Sequence, residues 1–228
     1  MISKMPSTLV VINRYVRMRK STLERISQII SDLTRANSKT AFVPRTMGPP
    51  PKMINPQTPR QAFQEMLRQI FDVAQRSAAS FEIIGLARLQ KIPGELSDLQ
   101  SLKRFKLTGS AITSIEPIAK LQALEELFIN NTKVADLSPL AQLKNLRVLD
   151  ISRTMVSDIS PIADLQNLEN LNLLSTPSRD LSPLKYLRGL KTLQIEATAI
   201  KNIDARSDME GLQASLCWSN EYQRFSAY

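Results

Sequence analysis

Residues 124–151 read LEELFINNTKVADLSPLAQLKNLRVLDI, which is one complete 22-residue unit followed by the start of the next. Leu124 and Leu146 occupy the same place in successive units, and this spacing also places leucine at 102, 168 and 190. When each of these leucines is counted as position one, positions four and six are Leu, Ile or Phe in all five units. A period of about 20 to 29 residues with this apolar pattern is typical of a solenoid, because one unit cannot bury its apolar side until neighbours stack against it.

Each unit contains a strand signal followed by a helical-turn signal. Around positions three to seven, inward Leu or Ile alternates with variable outward residues, as it does in a strand. The Asp-x-Ser-Pro run at 136–139 recurs in the next two units, with Ser suited to cap free amides and Pro suited to the first helical position. We predict an α/β fold: a leucine-rich-repeat solenoid with a concave parallel β-sheet and short convex helical turns, preceded by N-terminal helices.

The repeats resemble the 22-residue class found in bacterial internalins and in phosphatase-regulating repeat proteins. The segments that carry the resemblance are LSPLA at 137–141, ISPIA at 159–163 and the Thr-x-Val-x-Asp pattern at 132–136 and 154–158. The chain departs from many family members at position nine, which is Ser or Thr instead of Asn. The resemblance implies a partner-binding solenoid, and it does not identify the partner.

The composition argues against most catalytic functions. The sequence has no histidine, which excludes Ser-His-Asp and Cys-His catalysis and every histidine-ligated metal centre. Its six glycines are too far apart to form a phosphate-binding loop. Cys217 is the only cysteine, so neither an intramolecular disulfide nor a multi-cysteine zinc site can form. We therefore expect a non-enzymatic protein with no cofactor, no metal and no small-molecule substrate.

Positive charge is concentrated at the front of the chain. Residues 1–80 contain 13 Lys and Arg against 4 Asp and Glu, and the net charge of the whole sequence is +9, so the remainder is neutral. Residues 1–23 contain no acid, and the basic patch within them is Arg14, Arg17, Arg19 and Lys20. This patch can attract phosphate, anionic lipid or an acidic protein, or it can be a solvated helix face. The longest early apolar run is shorter than a signal-peptide core, so we expect a cytoplasmic protein.

The same features divide the chain into five segments. A capping box at Thr58 and Gln61 predicts a helix to about Ala79, and its apolar stripe needs a covering surface. Six prolines from 44 to 59 predict an extended linker before this helix. The predicted segments are a basic helical segment at 1–40, a proline-rich linker at 41–58, an amphipathic capping helix at 59–80, the solenoid at 81–204 and a C-terminal cap at 205–228.

The candidate binding site lies on the concave face, at the outward positions three, five and seven of the units. Phe128, Val148 and Leu174 are apolar where the solenoid core does not need them, which is typical either of a partner anchor or of incidental surface residues. The predicted site residues are Arg104, Lys106, Glu126, Phe128, Asn130, Val148, Asp150, Asn172, Leu174, Gln194 and Glu196.

The predicted partner is another protein or a peptide, and an acidic partner is one alternative. Five strands give the sheet a surface on the order of 340 Å². This is less than half of the ~800 Å² that each partner buries in a standard interface. The partner is therefore a peptide or a transient protein, unless the basic front joins the contact. The alternative function is docking of residues 1–40 to nucleic acid or an anionic membrane, with the solenoid as a tethered interaction module.

Two further columns have structural interpretations. Position nine holds Ser or Thr in every unit, and we expect these hydroxyls to hydrogen-bond the loop backbone. Asp136, Asp158 and Asp180 form an acidic column. Capping is favoured over cation binding for this column, because a metal ion needs further ligands at defined geometry.

Limited proteolysis of the full chain tests the segment boundaries. We expect early cleavage between about residues 40 and 58, because an extended proline-rich linker has few contacts to protect it, and a resistant fragment that begins near its end. Mass spectrometry identifies the fragment ends. A linker that resists cleavage for as long as the solenoid does would contradict the assignment.

Overall fold

The computed structural model describes residues 58–76, 78–83 and 86–198, together with the single positions 24, 28 and 56. Almost all of the predicted basic segment and linker, and the whole C-terminal cap, lie outside these residues, although Glu24 and Gln28 are helical. The basic patch also lies outside them, at Arg14, Arg17, Arg19 and Lys20.

Helix α1, Pro59–Arg76, begins at a capping box. The N–H of Gln61 donates to Thr58 Oγ1 over 3.2 Å, and the N–H of Thr58 donates to Gln61 Oε1 over 3.1 Å. The helix ends before Ala79, where the sequence predicted its end. The reason is that the Ala79 carbonyl already accepts two N–H groups from the next unit, at 2.8 and 3.0 Å, and so belongs to the sheet.

The predicted parallel sheet is confirmed, with its strands in chain order. It has six strands instead of the predicted five, because an irregular leading unit adds the first strand. The strands are β1 Ser80–Ile83, β2 Arg104–Leu107, β3 Glu126–Phe128, β4 Val148–Asp150, β5 Asn170–Asn172 and β6 Thr192–Gln194. From β2 to β6 the register follows the 22-residue repeat, so that Leu127 lies opposite Leu149. Strand β1 pairs with β2 at a longer sequence offset, with Phe81 opposite Phe105, because it belongs to an irregular leading unit.

The convex side consists of short 3-10 helices. These are η1 Gly94–Asp98, η2 Glu116–Lys120, η3 Ser138–Leu140, η4 Ser160–Ile162 and η5 Ser182–Tyr186. Proline lies in the first turn of η2 to η5, as predicted. The prediction that Ser caps these turns is wrong. Asp136 accepts the N–H of Ser138 at 2.8 Å and its hydroxyl at 2.6 Å, because a carboxylate is the stronger acceptor.

The core is a continuous apolar column inside the solenoid. Positions one, four and six are buried in all five units. Helix α1 contributes Met66, Ile70 and Ala74 to the same core, and Phe63 and Phe71 pack against it while partly buried. Helix α1 and the strands therefore share one interior. None of the described helices has the length and apolar character of a bilayer span.

Position eight has a left-handed backbone conformation in every unit. The φ angles are 66° at Gly109, 56° at Asn131, 55° at Arg153, 55° at Ser175 and 52° at Ala197. Only the first two are residue types that favour this conformation. The turn that follows each strand imposes it on the other three, so the sequence pattern did not reveal it.

Leu149→Ala tests whether neighbouring units are packed as described. Leu149 is fully buried between Leu127 and Leu171 on the adjacent strands. We expect a loss of about 2 to 5 kcal/mol in the free energy of unfolding, measured in urea, because neighbours on both sides prevent the cavity from closing. The matched control Val148→Ala, on the partly exposed side of the same strand, should cost about 1 kcal/mol or less. A loss below about 1 kcal/mol for Leu149→Ala would contradict this packing.

Candidate binding surface on the concave face

Strand alternation places the predicted site residues on one surface. In β3, β4 and β5 the middle residue is buried, and both of its neighbours are partly exposed. The register aligns position five across the strands, so that Phe128 lies opposite Asp150, and Asp150 lies opposite Asn172. Positions three, five and seven of the units therefore form the concave surface, on which the predicted residues are neighbours.

At the N-terminal end of the concave surface, both cations are neutralised by neighbouring carboxylates. Lys106 Nζ lies 2.6 Å from Glu82 Oε1, and Arg104 Nη1 lies 3.1 Å from Glu126 Oε2. The Arg104 guanidinium also lies over the Phe128 ring, 5.1 Å from its centroid, in a cation–π contact. The two basic residues of the predicted site are thus engaged within the surface.

The C-terminal end of the concave surface is polar and acidic. Asp150 Oδ1 accepts the Ser152 N–H at 3.0 Å and the Ser152 hydroxyl at 2.7 Å. Asn172 Oδ1 accepts the Leu174 N–H at 3.0 Å. These local bonds fix the orientation of both position-five side chains. Within the described residues, neither Asp150 nor Glu196 forms an ion pair.

The apolar members of the predicted site remain accessible. Phe128, Val148 and Leu174 are all partly exposed, and so is Asn130, while Gln194 is exposed. Phe128 and Val148 lie on adjacent strands, whereas Leu174 belongs to the unit of β5. The centre of the concave surface therefore combines an aromatic ring and a branched aliphatic side chain with the Asp150 carboxylate.

An alternating charge ladder runs beside the concave surface at position two of the units, and the predicted site omitted it. Lys103 Nζ lies 2.7 Å from Glu125 Oε1, and Glu169 is contacted by both Arg147 Nη2 at 2.7 Å and Lys191 Nζ at 2.9 Å. The sign of the charge alternates at 22-residue spacing, so this signal was present in the sequence. The ladder borders a groove lined also by Ala123, Asn145 and Asn167.

The ladder and the acidic column keep their carboxyl groups ionised. A hydrogen bond from Lys103 lowers the pKa of Glu125 below its ordinary value. Hydrogen bonds from Lys191 and Arg147 lower the pKa of Glu169. The pKa of each acid in the column is lowered by hydrogen bonds from the Ser two residues later, at Asp136, Asp158 and Asp180.

The two polar columns have the structural roles that the sequence predicted. The threonine hydroxyls of position nine donate to the carbonyl three residues earlier, at 2.9 Å for Thr132, 2.6 Å for Thr154, 2.8 Å for Thr176 and 2.8 Å for Thr198. Ser110 differs, because its buried hydroxyl oxygen has no hydrogen-bond partner among the described residues. The acidic column caps: the N–H of each following Ser donates to the carboxylate at 2.8 Å.

Acidification should destabilise the solenoid. Carboxyl groups whose folded pKa is lowered add stability that is present above their unfolded pKa of about 4 and is lost as the pH falls through the folded pKa. We expect the urea midpoint to stay nearly constant from about pH 6 to 8 and to fall below about pH 4. Asp158→Asn keeps an acceptor oxygen but removes one titrating group, so its midpoint should fall less steeply. A midpoint that rises on acidification would overturn this account.

The leucine-rich-repeat family matches the sequence in two copies, at residues 100–142 and 144–186. No curated protein matches the sequence. Among solved structures, an internalin C2 from Listeria monocytogenes is 27% identical with a TM-score of 0.51, over 57% of this chain and 62% of that one.

Two further solved structures share the fold. The internalin InlF of Listeria monocytogenes is 23% identical with a TM-score of 0.51, over 64% of this chain and 53% of that one. A leucine-rich-repeat protein from Leptospira interrogans is 21% identical with a TM-score of 0.58, over 64% of this chain and 39% of that one. This chain spans less than two thirds of the length of each of the three proteins. The repeat register and the family match show that the chain contains a leucine-rich-repeat solenoid, and this solenoid is similar to that of internalin C2.

Proposed function

We propose that the concave surface binds another protein or a peptide, and that the chain is a non-enzymatic scaffold or adaptor. Leucine-rich-repeat domains generally mediate protein–protein binding through this surface. The observation that carries the proposal is the centre of the surface, where partly exposed Phe128 and Val148 lie beside Asp150. An apolar anchor next to an orienting charge is the usual composition of a binding hot spot.

The size of the surface favours a peptide or a transient protein partner. Six strands at a spacing of ~4.8 Å, measured over the roughly 17 Å that positions three to seven span, give on the order of 400 Å². A standard interface buries ~800 Å² on each side. A stable globular partner would therefore need additional contacts, and the basic segment at 1–40 is the part of this chain that we propose for them.

The proposal assigns no catalytic residue, cofactor or small-molecule substrate. The sequence has no histidine, and the carboxylates of Asp150, Glu126 and Glu169 are held by hydrogen bonds or ion pairs. The family is typically a non-enzymatic binding scaffold. A cytoplasmic location is part of the proposal, and the single cysteine, Cys217, supports it.

A second candidate function is binding of nucleic acid or an anionic membrane by residues 1–40. The charge imbalance of the front of the chain favours it. In this case the solenoid is a tethered module that brings its own partner to the polyanion. Retention on heparin that falls steeply with salt, and falls further when Arg14, Arg17, Arg19 and Lys20 are replaced by Gln, would support this candidate.

Phe128→Ala tests the proposed function. The full-length chain is immobilised, proteins that it retains are identified, and each purified candidate is titrated against the wild type and the variant. We expect Phe128→Ala to weaken binding by about 30-fold or more, mainly through faster dissociation. The matched control is Tyr186→Ala on the convex turn η5, where an aromatic side chain is 52% exposed, and it should leave the affinity unchanged.

The same assay separates the two candidate functions. Neutralising the basic patch should slow association with an acidic partner and reduce its salt dependence without changing dissociation. Binding that survives the double replacement Phe128→Ala and Asp150→Ala, but is lost with the basic patch, would overturn the concave surface as the binding site. Urea unfolding of each variant confirms that the solenoid is intact.

A further inference from the structure

The part of the concave surface from β4 to β6 is acidic, although the chain as a whole is basic. At positions three, five and seven of the units that contain β4, β5 and β6, the charged residues are Asp150 and Glu196, and there is no lysine or arginine. Neither carboxylate has an ion pair within the described residues. The cations at the other end of the surface are already paired. Among the described residues, a ligand that meets this end therefore meets two carboxylates without an ion pair.

The two carboxylates have a defined separation. Asp150 is at position five of the unit that contains β4, and Glu196 is at position seven of the unit that contains β6. Two strand spacings across the sheet and two residues along a strand give a separation of about 12 Å. In an extended peptide, side chains four residues apart lie on the same face and about 13 Å from each other. Side chains three residues apart point to opposite faces.

Neutral amides lie between the two carboxylates. The register places Asn172 opposite Asp150 on one side and opposite Gln194 on the other. The Asn172 Oδ1 atom is engaged by Leu174, which leaves its amide N–H groups to donate, and Gln194 is exposed. Amide side chains both donate and accept, as a peptide backbone requires. A sugar ligand would need an aromatic platform, and Arg104 already lies over one face of the Phe128 ring.

We propose that the concave surface from β4 to β6 binds an extended peptide segment carrying two basic side chains four residues apart. One cation pairs with Asp150 and the other with Glu196, while Asn172 and Gln194 hydrogen-bond the backbone between them. This inference rests on the proposed function and adds the chemistry of the partner. Arg153, exposed three residues after Asp150 and without an ion pair among the described residues, repels the first cation and limits the affinity.

The test uses synthetic dodecapeptides that are neutral except for two lysines. The two lysines stand two, three, four or six positions apart in the sequence, and a matched set carries glutamates at the same positions. Binding to the full-length chain is followed by fluorescence anisotropy at low salt. We expect the four-residue spacing to bind at least about threefold more tightly than the three-residue spacing, and the glutamate set to bind least. Salt should weaken the interaction, because both acidic residues are partly exposed to solvent.

Four variants locate the binding. Asp150→Asn and Glu196→Gln should each weaken the preferred peptide by about three- to tenfold and abolish the preference for four-residue spacing. Arg153→Ala should strengthen binding. The matched control Glu116→Gln makes the same charge change on the convex turn η2 and should have no effect. Circular dichroism and urea unfolding show that each variant is folded.

The outcomes separate this inference from the proposed function. If no lysine peptide binds, if the spacing has no effect, or if Glu116→Gln weakens binding as much as Asp150→Asn, the inference is wrong. If these results occur while Phe128→Ala still abolishes binding of a retained protein, the proposed function stands and only the partner chemistry changes. If binding follows the predicted spacing and is weakened as expected in Asp150→Asn and Glu196→Gln, both the inference and the proposed function are supported.

Discussion

The whole structure depends on the fact that no unit can bury its apolar side alone. Leu149 is covered because Leu127 and Leu171 occupy the same place on either side of it. The backbone shows the same dependence of one unit on the next. The Lys103 carbonyl accepts hydrogen bonds from the N–H groups of Glu125 and Glu126, at 2.7 and 2.9 Å. One residue inserted within a strand would break both patterns, because it would turn the side chains that follow it in that strand to the opposite face.

The two polar columns, which are position nine and the acidic column, also stabilise the stacked units. The carboxylates of the acidic column replace water for the free amides of the convex turns, and the threonine hydroxyls close the loops from inside. A clear case is Ser178, which stands where the other units carry Ile or Val. Its buried hydroxyl donates to the Val156 carbonyl of the preceding unit at 3.0 Å. A polar group is tolerated inside the column because it finds a partner there.

The register that aligns the core also sets the chemistry of the surface. Residues that are 22 apart in sequence become neighbours. A charged side chain therefore forms an ion pair only if a neighbouring unit has an opposite charge beside it. Arg104 and Lys106 looked available for an acidic partner, but each meets a carboxylate on an adjacent strand. Asp150 lies opposite Phe128 and Asn172 instead, so its carboxylate has no cation beside it on the adjacent strands. Net charge therefore says little about the sign of the binding surface.

The sequence by itself determined the solenoid, its register, its buried positions and the outward residues of the concave surface, because a short exact period leaves one way to stack the units. The tertiary structure alone decided what those outward residues do. The Arg104 contact with Phe128 and the ion pair of Arg104 with Glu126 depend on distances between units, and the turn that follows the strand imposes the left-handed conformation at Arg153. The residue pattern determines which side chains share a face. Which of the charged side chains on that face remain without an ion pair depends on the side chains of the neighbouring strands.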